Sequence, residues 1–197
     1  MELLSVQSLN ALGVVGVLAY WEHKELKTSR ADKSAGKHSK PVQIAIRLLL
    51  PVAGGLMVLQ LFGFDPFLFD IGAGAMLSLY IIGQVIFWAG VILGVWARET
   101  IGKHWAHAAE YQILKEHELI TSGPYMRIRH PIYTALFAIF FGTQLIVGSS
   151  FILLSLPLLW FVYWQAGKEE AILSETFGYK YHRYRKHTGQ ILPKILR

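Results

Sequence analysis

Two short polar runs in an otherwise apolar chain carry the residue types that do chemistry. Arg129-His130-Pro131-Ile132-Tyr133 sets a guanidinium, an imidazole and a phenol close together, and Lys168-Glu169-Glu170 supplies paired carboxylates. An ionised carboxylate such as Glu169 accepts from an ammonium or from hydroxyl groups. His130 is the candidate base wherever an amine nucleophile must first lose its proton, and Arg129 is the fixed cation beside it. His104-x-x-His107, with His117 further on, has a spacing that could ligate zinc. The chain has no cysteine and no acidic third ligand in a known pattern, so no metal is assigned. No phosphate loop, GxGxxG run or nucleophilic serine motif is present.

The elements that must position these groups are membrane helices. The chain has 197 residues, 53% hydrophobic and 16% charged, against about 25% charged residues in a soluble domain. Its net charge of +6 comes with no nucleic-acid reading motif, so nucleic acid is set aside as a partner and the charge is read as lysine and arginine held on one side of a bilayer. Apolar segments run from Leu3 to Trp21, Val42 to Phe64, Leu77 to Ala97, Ile132 to Val147 and Phe151 to Trp164. The predicted fold is all-α, a polytopic membrane bundle of about five transmembrane helices. The last two form a helical hairpin about Gly148-Ser149-Ser150, and a C-terminal helical cap follows. The N-terminus lacks a basic leader region and a cleavage site, so it reads as a retained first span.

Lysine and arginine fill the segments 22–41 and 98–131 and the tail after Trp164, while the stretch around Asp65 and Asp70 has neither. This bias predicts an outside N-terminus and a cytoplasmic C-terminus. Residues 1–98 then form three spans with a basic inner loop, and residues 99–197 hold the hairpin, the tail and both polar runs. His130 and Lys168 lie equally far from Ser149 along the chain, so two helical legs would bring Arg129-His130 and Glu169-Glu170 to one depth. Gly83, Gly90 and Gly94 mark a small-residue packing face on the third span, with Gln84 as an interhelical donor. Pro51 and Gly54-Gly55 predict a kink in the second span, and Lys24 to Lys40 reads as a polar loop. Phe177, Tyr181 and Tyr184 fall on one helical face, which would turn the tail back onto the core. Plain interfacial aromatics have the same pattern.

Arg129-His130-Pro131-Ile132-Tyr133, followed by Glu169-Glu170 and then Phe177-Gly178-x-x-Tyr181-x-x-Tyr184-x-x-x-Thr188-Gly189, resembles the isoprenylcysteine carboxyl methyltransferase family. The similarity covers Gly102 to Pro193. It implies an integral membrane methyltransferase using S-adenosylmethionine on a lipid or lipidated acceptor, with residues 99–197 as its catalytic region. Carried over by position, cofactor contacts would fall at Glu110, His117, Glu118, Leu119, Ile120, Tyr125, His130, Pro131, Ile132, Tyr133 and Glu169. The family's substrate-binding arginine aligns with Gln165, which can hydrogen-bond a carboxylate but supplies no charge. Phospholipid N-methyltransferases, which are related, make phosphatidylethanolamine an alternative acceptor. Membrane lipid reductases with a similar C-terminal cofactor region make an NADPH-dependent reductase another reading. A non-catalytic scaffold whose basic loops bind anionic lipid is a third.

Overall fold

The computed structural model of the chain describes residues 2–31, 40–65, 68, 73–102 and 118–194. Six α-helices account for most of them: α1 (Glu2–Ala31), α2 (Lys40–Leu61), α3 (Ala73–Ile101), α4 (Pro131–Val147), α5 (Ser155–Phe177) and α6 (Tyr179–His187). Short 3-10 turns occupy Gly123–Met126 and Ser150–Leu154. No strand occurs among the described residues; two isolated bridges, Leu68 with Ser149 and Ile128 with Gly189, stitch loops together.

The closest helix pair is α3 with α4, because their facing residues are small. A Cβ added to Gly83 would stand 2.9 Å from the Gly142 carbonyl, and one added to Gly142 would stand 2.7 Å from the Phe87 nitrogen. Gly90 meets Ala135, Ala138 and Ile139 in the same way. The small-residue face of α3 therefore receives α4 and lets the backbones approach closely. Around this seam Val14, Val17, Trp21, Leu61, Phe87, Ile139 and Ile146 form the buried core.

The outward surface is apolar as well. Leu12, Val15, Val52, Leu56, Leu77, Ile81, Val85, Ile92, Leu156 and Trp160 are all exposed. Water would not favour so continuous an apolar exterior; hydrocarbon would. The helical stretches Gly74–Ile101 and Ser150–Phe177 are long and apolar enough to cross a bilayer.

Polar groups inside the bundle differ from expectation. Gln84 Nε2 is buried with no hydrogen-bond partner. The interhelical amide contact is made instead by Gln60 of α2 and Gln144 of α4, which exchange bonds at 3.2 Å. Gln60 also donates to Asp65 at 2.8 Å and to Ser149 at 3.4 Å, so one buried polar knot ties α2 to the α4–α5 connection. Helix α2 runs through Pro51, and Gly54 is where α1 approaches, since a Cβ there would meet Leu18. The polar stretch after Lys24 continues as helix to Ala31. At the opposite end from the knot, Tyr20 and Lys24 of α1 both donate to the Glu99 carboxylate of α3, Lys24 at 2.9 Å.

Candidate active site

Pro131 opens α4 because it fixes a helical φ where its missing N–H is not required, with His130 as the residue before the helix. The first helical bond runs from the Thr134 nitrogen to the His130 carbonyl, so the Ile132 and Tyr133 N–H groups have no acceptor within the helix. His130 is 7% exposed. Its Nδ1 stands 3.3 Å from Glu169 Oε2 and its Nε2 stands 3.5 Å from Glu170 Oε1. Its ring stacks on Tyr133, whose hydroxyl donates to Glu169 Oε1. Burial works against the imidazolium, but the two carboxylates outweigh it and raise the His130 pKa above 6.5.

Glu170 is the hinge of the arrangement. Its carboxylate accepts from Arg129 Nε at 2.8 Å and lies 3.5 Å from Arg185 Nε on α6. Arg129 also donates through Nη1 to the Thr188 carbonyl. Its backbone N–H bonds the Gly189 carbonyl at 2.8 Å, and that of His130 bonds the Gln190 carbonyl at 3.0 Å. Thr134 Oγ1 donates to the Ile191 carbonyl at 2.6 Å, and Ile191 is buried beside Val162 and Ala166. The tail thus lies along the segment that carries His130.

The lid over this end comes from α6 and the turn at 123–126. Gly178, at φ 52°, breaks the helical path, so Phe177 ends α5 while Tyr181 and Tyr184 belong to α6. The single aromatic face expected across all three residues is split for that reason. Tyr181 is fully buried, and Tyr184 donates to the Tyr125 carbonyl at 2.6 Å. Burial raises the Tyr125, Tyr181 and Tyr184 phenols above 10, so all three remain protonated. The turn rests on the end of α3, where a Cβ on Gly123 would meet Thr100 Oγ1 at 2.8 Å.

Of the residues singled out from sequence, the fold brings His130, Pro131, Ile132, Tyr133 and Glu169 into one cluster. Tyr125 is buried under Tyr184 beside it. Gln165, half-buried, lies one helical turn before Glu169. Glu118, Leu119 and Ile120 form an irregular stretch leading to the turn. Glu110 and His117 lie outside the described residues, as do His104 and His107. Among the described residues no group of three or more His, Asp or Glu is placed to hold a metal ion. Sequence reasoning left Glu170 without a separate role and missed Arg185; the adjacency of two glutamates was the available signal.

The sequence profile of the phospholipid methyltransferase family matches residues 78–180, from α3 through the His130 cluster to the first turn of α6. The chain belongs to this family. Curated relatives agree with the assignment. A protein-S-isoprenylcysteine O-methyltransferase of Schizosaccharomyces pombe is 30% identical over 131 residues, 66% of this chain and 52% of that protein. One of Xenopus laevis is 32% identical over 119 residues, 59% of this chain and 41% of that protein. The chain spans about half the length of the curated relatives it matches. A solved structure titled as the eukaryotic intramembrane Ras methyltransferase ICMT, isoprenylcysteine carboxyl methyltransferase, superposes with a TM-score of 0.59 at 23% identity. The match covers 94% of this chain and 68% of that one, so the fold is shared. The family's matched segment is the part of the molecule that holds the carboxylate–imidazole cluster.

Proposed function

We propose that this protein is an integral membrane methyltransferase that methylates the carboxylate of a lipid-borne acceptor, of the isoprenylcysteine type, using S-adenosylmethionine. The observation that carries the choice of a carboxylate acceptor is the enclosure of His130. The ring is buried, both its nitrogens face carboxylates of the chain itself, and those carboxylates favour the protonated form, so it is poorly placed to take a proton from an acceptor. A carboxylate acceptor is ionised at neutral pH and needs no base; an amine acceptor needs one.

The residues present suit the donor. Glu169, its side chain 24% exposed beside a buried His130 and Glu170, is the carboxylate that would accept from an ammonium or from ribose hydroxyls. The N–H groups of Ile132 and Tyr133 at the start of α4 would hold an anionic carboxylate. When bound, S-adenosylmethionine supplies a methyl on a sulfonium, which passes to the acceptor oxygen as the C–S bond breaks and an O–C bond forms. The task of the chain is alignment and exclusion of water. His130 and Tyr133 fix the Glu169 rotamer; Arg129 acts through Glu170 and the tail, holding the segment that precedes α4.

The finer topology belongs to the same proposal: about five crossings, α4 and α5 as a helical hairpin, the N-terminus outside, and the site at the cytoplasmic surface. There a soluble donor enters from one side and a lipid acceptor from the other. Gln165 favours a second reading, phosphatidylethanolamine as acceptor, because no guanidinium stands at that position. Detergent-purified protein with radiolabelled S-adenosylmethionine separates the readings. Label should pass to a prenylcysteine analogue, faster in Gln165→Arg. Transfer to phosphatidylethanolamine alone would establish the second reading, and no binding of the donor would end both.

A further inference from the structure

After Glu175 the chain contains no acidic residue, whereas Lys180, Arg183, Arg185, Lys186 and Lys194 all follow it. Apart from Tyr181 and Tyr184, which face the core, and the exposed Tyr179 at its start, α6 presents an exposed basic surface. A basic last turn would by itself suit the α6 dipole, and Lys194 Nζ does donate to the Lys186 carbonyl at 2.8 Å. That account leaves the position of the tail unexplained. Ile191 is inserted between Val162, Ala166 and Tyr133, so the tail returns to the apolar part of α5. There α5 exposes Trp160, Phe161 and Trp164, with Lys168 Nζ 3.4 Å above the Trp164 ring. Aromatic rings and a snorkelling lysine of this kind mark the border of hydrocarbon and headgroups. Leu192, next to Ile191, is 64% exposed, and the Lys194–Lys186 contact brings α6's basic end to the same level.

We infer that this surface binds anionic phospholipid headgroups, with Leu192 entering the acyl border and Lys168, Lys186 and Lys194 bearing on phosphate and carboxylate groups. An exposed leucine amid lysines suits a lipid surface better than an acidic protein, for which the apolar side chain has no use. The consequence reaches the cluster, because residues 189–191 are bonded to the backbone of Arg129 and His130 and to the Thr134 hydroxyl. A lipid that seats the tail thereby steadies the start of α4. The inference rests on the bundle lying in a bilayer, not on methyl transfer, so activity is not its readout.

The test is hydrogen–deuterium exchange of the full chain in nanodiscs of phosphatidylcholine alone or mixed with phosphatidylserine. Amides of 185–192 should be protected several-fold in the anionic discs, and added salt should remove the difference. Lys186→Gln with Lys194→Gln should weaken binding of the tail to anionic lipid about fivefold for each lysine replaced and so remove the difference between the discs, while the amides of α3 exchange as before. Equal exchange in both lipids, with or without salt, would overturn the inference. So would protection that soluble polyglutamate produces and phosphatidylserine does not, which would assign the surface to an acidic protein.

Discussion

At the scale of single residues, the proposed site sets one partly exposed carboxylate beside the buried groups that hold it. Glu169 is the partly exposed carboxylate, so Glu169→Gln should weaken S-adenosylmethionine binding by about ten- to a hundredfold, the loss of a charge-assisted hydrogen bond. Equilibrium dialysis with labelled donor measures this, and an unchanged affinity would remove Glu169 from the site. His130 acts through charge. Its folded pKa lies above its ordinary 6.5 because Glu169 and Glu170 face it, while Arg129 and Arg185 share Glu170 from the other side. The stability this gives is fully present below pH 6.5 and is lost as pH rises through the raised value. Wild type should therefore exceed His130→Asn in stability by about 2 kcal/mol at mildly acid pH, with the gap narrowing toward alkaline pH in thermal melts. A constant gap would mean that the ring is held by packing alone.

At the scale of elements, the α3–α4 seam and the polar knot do different work. Gly142 lies 2.7 Å, by its added Cβ, from the Phe87 backbone, which cannot move aside as a flexible side chain would. Gly142→Leu should cost about 3 kcal/mol or prevent folding, read as a fall in melting temperature in detergent, whereas Gly167→Ala on open α5 surface should be neutral. In the knot, Gln144→Leu strips Gln60 of a buried partner and should cost about 1 to 3 kcal/mol. Because it lies at the far end of the bundle, donor affinity measured below the melting temperature should stay at the wild-type value. The small-residue stripe was legible from the spacing of Gly83, Gly90 and Gly94, since small side chains serve only close approach. The choice of Gln60 and Gln144 over Gln84 was not, because a helical pattern cannot say which amide will meet another across an interface.

At the scale of the whole molecule, the C-terminal tail closes onto the residues it follows by some sixty positions in sequence, as the Tyr184 to Tyr125 and Arg129 to Thr188 bonds display. Truncation before Gly189 removes the carbonyls that receive the Arg129 and His130 N–H groups. The expected result is a fall in turnover of about a hundredfold through misplacement, with the helical content of the bundle kept by circular dichroism. Full activity in the truncated protein would show that α4 is positioned without the tail.

The sequence by itself determined the all-helical class, the apolar exterior and the pairing of an imidazole segment with two glutamates. Composition and periodicity report burial, and the Arg129 to Tyr133 and Glu169-Glu170 motifs are contiguous. Tertiary structure alone decided that Glu170 rather than Glu169 takes Arg129, that Gly178 divides the aromatic face, and that the tail lies against His130. Each of these depends on which lone pair meets which donor across elements far apart in the chain. Spacing along one helix carries no information about that geometry.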